Sequence, residues 1–252
     1  MKITVLGSGT CVPSLKRSNC SILIEFDTYK VLLDCGSGTI RRILEAGINI
    51  RDITHIFFSH LHPDHTGGLA SFLFSSKYPK EREKPLVIFG GRGFGDFYRE
   101  LNRIYRDWIR FDKLKIDELD TEGAAHIDYK EFSVDSLPMN HTPESIGIKV
   151  TSRGGKSIVY SGDTDYTENL IELSRGVDIL FCESALPDAL KVSGHLTPSL
   201  AGEIAKRAGV KKLVLTHFYP ECEDVDIIAE CRKTYDGELI IAEDLMVFDL
   251  YN

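Results

Sequence analysis

Apolar and polar residues alternate in short runs along this chain, and Gly, Pro, Asn or Asp closes each run within a few positions. Such punctuation predicts many brief strands and helices. In the first half, the β-branched and aromatic stretches Ile3–Leu6, Ser21–Phe26, Val31–Asp34, His55–Ser59 and Leu86–Phe89 read as strands. Helices are expected over Thr39–Ala46, closed by Gly47, and over His65–Ser75, where Leu69, Phe72 and Leu73 share a face. Within Gly93–Trp108, the residues Phe97, Leu101, Ile104 and Trp108 recur at helical spacing and make one apolar stripe, suited to a core or an oligomer contact. The second half repeats the style. Strands are expected near Tyr129–Ser133, Ile146–Thr151, Ser157–Ser161, Ile179–Cys182, Leu213–Thr216 and Leu239–Ile241, and helices over Thr167–Ser174, Ser199–Ala208 and Val225–Thr234. Hairpin-joined strands early in each half, followed by helix–strand alternation, imply two mixed sheets packed face to face with helices outside, an α/β sandwich. We expect one domain over residues 1–252, with pseudo-repeated halves of roughly 1–125 and 126–252.

Composition narrows the function. The 30 Lys+Arg stand against 38 Asp+Glu, a net charge of −8, which argues against gripping nucleic acid through a general basic surface. With 42% hydrophobic residues and no biased run, the chain can bury a sizeable core. No stretch is apolar enough for a membrane span, and the opening MKITVLGSG is too short and too early broken for a signal peptide. A cytoplasmic location is therefore expected, without membrane partners. The six cysteines have no C-x-x-C spacing, so neither a disulfide framework nor a thiolate zinc site is expected.

The candidate chemistry concentrates in His60-Leu61-His62-Pro63-Asp64-His65, directly after the apolar strand HIFFS. In extended backbone, side chains two apart point the same way, so His60 and His62 can share one metal. Asp64 and His65 begin the following helix and face elsewhere, which suits a second, neighbouring metal. This is not the H-E-x-x-H pattern, in which both His share a helix face. His141, His195, His217 and Asp163 each lie at a strand end or in a Gly/Pro-rich loop, where sites of α/β proteins assemble. His55 and His126 read as structural. Imidazole and carboxylate donors without thiolate suit Zn²⁺, with Mn²⁺ or Fe as alternatives, and a dinuclear pair of divalent ions can hold hydroxide near neutral pH.

The string HLHPDH resembles the hallmark of the metallo-β-lactamase superfamily, and Asp34 in LLDCGSG resembles the Asp that follows its preceding strand. The resemblance implies an αββα four-layer sandwich. It also implies that His60, His62 and His141 hold one ion, that Asp64, His65 and His217 hold the other, that Asp163 bridges, and that Asp34 supports without ligating. Four further stretches are similar to the ribonuclease Z-like branch: GSGTCVPSLKRSN with Pro13, Lys16, Arg17 and Asn19, then NHTPESIGI, SGDTD and GHLTP. FCESA resembles the segment that supplies a Glu to the last His, which would make Glu183 and His195 a proton-delivery pair. Lys16, Arg17 and Arg92 are candidate phosphate contacts.

One departure sets the substrate expectation. Enzymes of that branch that handle whole tRNA carry a long basic arm between the third His ligand and the bridging Asp. Here a single hairpin, IGIKVTSRGGKSIVYSG, fills the gap. The expected function is a dinuclear phosphodiesterase acting through a metal-bound hydroxide, with Asp64, His195 and Glu183 catalytic, on a small phosphodiester ahead of an RNA 3′ end. The alternatives are a tRNA 3′-processing endoribonuclease, with the loop at Lys77 to Lys84 as an RNA contact, a thioester or lactam hydrolase, and a non-catalytic di-metal protein. Homodimers occur in the resembled branch, and the Phe97–Trp108 stripe is a candidate surface for one.

Overall fold

In the computed structural model, which describes residues 1–250, the strand-forming runs pair into two seven-stranded sheets. The first half supplies β1 (Lys2–Gly7), β2 (Ser21–Glu25), β3 (Lys30–Leu33), β4 (His55–Phe57), β5 (Leu86–Gly90) and β6 (Leu114–Glu118). The second supplies β7 (Ala125–Asp128), β8 (Phe132–Pro138), β9 (Ile146–Ser152), β10 (Ser157–Tyr160), β11 (Ile179–Glu183), β12 (Lys212–Thr216) and β13 (Glu238–Ile241). Finally β14 (Val247–Asp249) returns to pair antiparallel with β1.

Each sheet is antiparallel at one side and parallel at the other. β1 to β3 are antiparallel and β3 to β6 parallel; β7 to β10 are antiparallel and β10 to β13 parallel. Parallel neighbours need crossovers, and helices fill them. α1 (Thr39–Glu45) follows β3, α2 (Pro63–Thr66) and α3 (Leu69–Lys77) follow β4, and α4 (Phe94–Tyr105) follows β5. α5 (Glu168–Leu173), α6 (Pro198–Ala208) and α7 (Ile227–Arg232) follow β10, β11 and β12 in turn.

Both faces of each sheet are covered, so successive side chains alternate between two apolar layers. Along β2, Ile22 and Ile24 join the layer between the sheets while Leu23 joins the layer under α1, α3 and α4. β11 does the same, with Ile179 and Phe181 between the sheets and Leu180 and Cys182 under α5 to α7. Each such fully buried side chain contributes roughly 1.5–3 kcal/mol. The result is the αββα sandwich. Among the described residues, no helix is long and apolar enough to cross a membrane.

Several elements differ from the sequence reading. Tyr129 to Glu131 form a turn, closed by the Tyr129 N–H on the Phe132 carbonyl at 2.9 Å, and the strand begins only at Phe132. β6, β7 and β14 were not anticipated. All three lie at sheet edges, where the packing demand is weak and charged residues are tolerated, as in the sequence LKIDE of β6. The helix expected over His65–Ser75 is divided into α2 and α3, because the Gly68 N–H leaves the helical ladder and donates to Cys35 O at 2.8 Å. The apolar stripe is split as well. Phe97 and Leu101 pack on the core, whereas Ile104 in the last turn of α4 is 70% exposed and Trp108, beyond the reversal at Arg106 (φ 52°), is 56% exposed.

Candidate metal centre

The parallel strands of both sheets end at one rim of the sandwich, and the polar residues that follow them meet there. Asp34 follows β3, His60 lies just beyond β4, Asp163 follows β10, Glu183 ends β11 and His217 follows β12. His62 precedes α2, whose first turn carries Asp64 and His65, with Pro63 opening the helix. His141 comes in from the loop after β8 and His195 from the loop between β11 and α6. Asp34 and His217 have left-handed backbone (φ 57° and 62°), an uncommon conformation for such residues that turns each side chain back over the strand ends. Gly162 (φ 58°) is required just before Asp163, because a Cβ there would lie 2.6 Å from the Ser59 Cβ.

The Asp163 carboxylate divides the cluster in two. Its Oδ2 faces His60 Nε2 at 3.5 Å and His141 Nε2 at 3.8 Å; its Oδ1 faces His65 Nε2 and His217 Nε2, each at 3.3 Å. On the second side, Asp64 Oδ2 lies 3.7 Å from His65 Nε2 and 3.5 Å from His217 Nε2. On the first, His62 Nδ1 and His141 Nε2 approach to 3.2 Å, a separation that needs a proton or a cation between two ring nitrogens. Ligand atoms of His60, His62, His141 and Asp163 lie within 4.8 Å of one another, as do those of Asp64, His65 and His217. His60 Nε2, His65 Nε2, Asp163 Oδ1 and both His217 ring nitrogens are buried without a hydrogen-bond partner. Several orphaned buried donors aimed at one space are costly in a folded chain unless a cation satisfies them, so these residues fit divalent metal.

The His60, His65 and His141 rings are held by outer bonds at Nδ1 that leave Nε2 directed into the cluster, the usual support of a metal-binding histidine. Asp34 accepts from His65 Nδ1, from the Ser59 N–H, from the Ser59 hydroxyl and from the Tyr160 hydroxyl, all at 2.7 Å. With its own hydroxyl proton given to Asp34, Ser59 Oγ accepts from His60 Nδ1 at 3.0 Å, and the Gly194 carbonyl accepts from His141 Nδ1 at 2.8 Å. Ser59 and Tyr160 were not singled out in the sequence; nothing in SIVYS or in the residue before HLHPDH marks them. We predict that Asp34→Ala, which strands four buried donors, costs about 3–5 kcal/mol in urea unfolding and weakens metal binding roughly 10–100-fold. A near-neutral effect on both would remove the supporting role.

Charge follows burial. Burial keeps His60 and His141 neutral, their pKa values falling below the usual imidazole range, with neighbouring imidazoles adding to the effect. For His65, burial works against the charged form, but Asp163 and Asp34 together hold its pKa well above the usual value. Burial likewise opposes the Asp64 carboxylate, yet the neighbouring His217 and His65 imidazoles bring it down to about 2.

Glu183 and His195 form a second unit beside the cluster. His195 Nδ1 lies 3.1 Å from Glu183 Oε1, which also accepts from the Thr164 N–H at 2.6 Å; Glu183 Oε2 accepts from the Leu196 N–H at 3.0 Å. Burial disfavours a charged His195, but the Glu183 bond outweighs it and raises the pKa, whereas burial raises that of Glu183. A nitrogen of His195 also comes within 4.8 Å of ligand atoms of Asp163 and His217.

The suggested phosphate contacts are directed elsewhere. Arg17 is largely buried, donating to Ser8 Oγ, the Ala242 carbonyl and Glu223, with its guanidinium 4.7 Å from the Phe218 ring. Lys16 also pairs with Glu223, and Arg92 pairs with Glu122. His55 packs among Tyr29, Tyr129 and Phe132, and His126 pairs with Asp135 on the edge hairpin, so neither joins the cluster.

Solved structures share this arrangement of sheets. The metallo-β-lactamase fold protein YhfI from Bacillus subtilis superimposes with a TM-score of 0.84 at 23% identity, covering 98% of this chain and 99% of that one. Human tRNase Z, short form, superimposes with a TM-score of 0.83 at 27% identity over 100% of both chains. Fold and donor cluster together define a metal-dependent hydrolase of the metallo-β-lactamase fold. Residues 1–230 match the model of the family described as anti-Pycsar protein Apyc1, and the chain belongs to that family. Ribonuclease Z of Archaeoglobus fulgidus is 31% identical, over 99% of this chain and 97% of its own length. Ribonuclease Z of Methanothermobacter thermautotrophicus is 28% identical, over 99% and 97%.

Proposed function

We propose that the protein is a dinuclear phosphodiesterase whose substrate is a small phosphodiester. The observation that carries the dinuclear reading is the split of the cluster by Asp163, with His60 and His141 facing one carboxylate oxygen, His65 and His217 the other, and His62 grouped with the first pair. In this reading Asp163 would serve both sets, and Asp64 would complete the second set and accept a hydrogen bond from the attacking water. Two divalent ions, Zn²⁺ or alternatively Mn²⁺ or Fe, would polarise the phosphoryl group and make water acidic enough to attack at neutral pH. His195, oriented by Glu183, would give its proton to the leaving oxygen.

Three observations favour a small substrate over precursor tRNA. Between His141 and Asp163 the chain makes only the β9–β10 hairpin. The alignment with the Archaeoglobus relative runs to 302 positions against 252 residues here, so about 50 positions have no counterpart in this chain. The cations of the loop after α3 are engaged internally: Lys77 on the carbonyls of Asp107 and Arg110, Lys80 on Glu83, Lys84 on Asp52, and Arg82 on backbone carbonyls. A structured polyanion needs free Lys and Arg for its phosphates. The deciding experiment is a panel of a chromogenic phosphodiester, cyclic nucleotides, precursor tRNA, a thioester and a β-lactam. Preference for the small phosphodiesters is expected, and preference for tRNA, thioester or lactam would overturn this reading.

Chelation should abolish turnover and lower the melting temperature. Metal at a thousand times its dissociation constant stabilises by about 4 kcal/mol, and that contribution disappears with the ion. Re-addition of Zn²⁺ or Mn²⁺ should restore both, and a chelator-insensitive melting curve would contradict the metal assignment.

We further propose a homodimer through the exposed end of the α4 stripe, where Trp108 meets Phe74 and Tyr78 at ring separations of 5.8 and 5.7 Å around an apolar pocket of about 330 Å³. Trp108→Glu should then yield a monomer in sedimentation. The free cysteines suit a reducing, cytoplasmic setting.

A further inference from the structure

One hydrogen bond and one imidazole ring enter the metal centre from the loop that joins β11 to α6. The Gly194 carbonyl fixes the His141 ring, and the next residue, His195, has its ring centroid 4.9 Å from that of His141 and 5.6 Å from that of His217. The loop therefore sets the aim of one candidate ligand and the reach of the proton donor. Its own anchorage near the site is thin. Leu190 and Val192 are exposed, and Gly194 has left-handed backbone (φ 85°) with room for no Cβ, which would lie 3.0 Å from His141 Nδ1.

Glu183 holds the His195–Leu196 end of this segment, and Asp165 holds the Gly194 end. Asp165 Oδ2 accepts from the Gly194 N–H and from the Lys191 ammonium, both at 2.9 Å, while Lys191 also donates to the Val192 carbonyl at 2.6 Å. Asp165 is itself well placed. Its Oδ1 accepts from the Tyr166 N–H at 2.8 Å, and its own N–H donates to the carbonyl of Asn140, the residue before His141, at 2.8 Å. Two residues upstream stands Asp163. One residue, through its backbone N–H and its carboxylate, thus joins three chain segments: the one bearing Asp163, the one bearing His141 and the one bearing His195.

We propose that Asp165 and Lys191 are positioning residues, a latch that holds the Gly194–His195 segment so that His141 keeps its metal-binding tautomer and His195 stays beside the leaving group. The proposal rests on the metal-hydrolase reading above. Support at this remove from a metal is commonly worth 10–100-fold in affinity or activity. An Asp–Lys pair half in solvent contributes little to global stability, so its loss should register in the site and leave the fold intact.

The test uses the full chain and separates metal affinity from turnover. Zinc affinity by chelator competition, kcat and KM on a phosphodiester with an alkyl leaving group, and melting temperature are measured for Asp165→Ala, Asp165→Asn, Lys191→Met, Lys191→Arg and His195→Ala, and for Lys191→Met combined with His195→Ala. Asp165→Ala should weaken zinc binding about tenfold. Asp165→Asn, which retains an acceptor for the Gly194 N–H, should weaken it less, and this milder variant keeps the test alive should the alanine variant fail to fold. Lys191→Met should lower kcat about tenfold at nearly constant KM, Lys191→Arg should recover most of it, and in the His195→Ala background Lys191→Met should lower kcat no further. Wild-type zinc affinity in both Asp165 variants with an undiminished kcat in Lys191→Met would overturn the latch. So would an equal loss of kcat with and without His195, which would mark a diffuse effect on the fold. A wild-type chain that takes up no zinc would overturn the metal reading and the latch together, whereas normal wild-type uptake with unaltered variants would overturn the latch alone.

Discussion

Asp163→Ala is expected to reduce hydrolysis of a chromogenic phosphodiester at least a thousandfold and to leave fewer than two ions per chain. Asp163 is buried, and its two oxygens face different sets of imidazoles, so no neighbouring group can replace it. The positive charge of two ions stabilises a transition state by several kcal/mol, and about 4 kcal/mol is a thousandfold in rate. Removing the shared carboxylate should disturb both ions together, unlike removal of His62, which stands on one side and is exposed. Asp163→Asn should fall nearly as far, since a neutral amide offers one oxygen where two face the cluster. The measurement is metal content by mass spectrometry alongside turnover. Two tightly held ions and full activity in Asp163→Ala would sink the bridging assignment and, with it, the dinuclear reading.

The sandwich was legible because both faces of its central strands are covered. Strands such as β2, β3 and β11 are almost wholly apolar, and a run of that kind between Gly and Asp punctuation has few other homes. Edge strands β6, β7 and β14 were illegible for the complementary reason: their packing demand is small, so charged residues interrupt the pattern. The gathering of His60, His62, Asp64, His65, His141, Asp163 and His217 could be read from their position at strand ends, which in parallel sheets converge. The resemblance added their grouping. Tertiary packing decided what periodicity could not. The α4 stripe reads as one face, yet a reversal at Arg106 sends Phe97 inward and Trp108 outward. Arg17 reads as a phosphate contact from composition alone; only the fold brings Ser8, Ala242 and Glu223 to it. The roles of Asp165 and Lys191 carry no local signal, because the two are remote from each other in sequence and the other partner of the Asp165 Oδ2 is a backbone group, the Gly194 N–H.

His195→Ala should lower kcat by about 10²–10⁴-fold on a phosphodiester with an alkyl leaving group, the usual span for losing a general acid. The structure leaves His195 two chemical uses, since a ring nitrogen lies within 4.8 Å of ligand atoms of Asp163 and His217 while Nδ1 bonds Glu183. Leaving-group dependence separates them. An alkoxide needs a proton to depart and a nitrophenolate does not, so a proton donor's removal should be severe for the first substrate and mild for the second. A ligand's removal should harm both equally and reduce the metal content. The Glu183 bond raises the His195 pKa and holds the ring through Nδ1, which favours proton delivery, whereas its grouping with Asp163 and His217 is the arrangement a ligand would use. Glu183→Gln should act in the same sense but more weakly. It keeps an acceptor for one of the Thr164 and Leu196 N–H groups, sets an amide N–H against the other, and no longer offers His195 a negative charge. We expect a kcat loss of about tenfold or more on the alkyl substrate, with roughly 1–3 kcal/mol of stability lost to the unsatisfied buried donor. Equal losses on alkyl and nitrophenyl substrates in both variants would show that this pair serves the metal and not the leaving group.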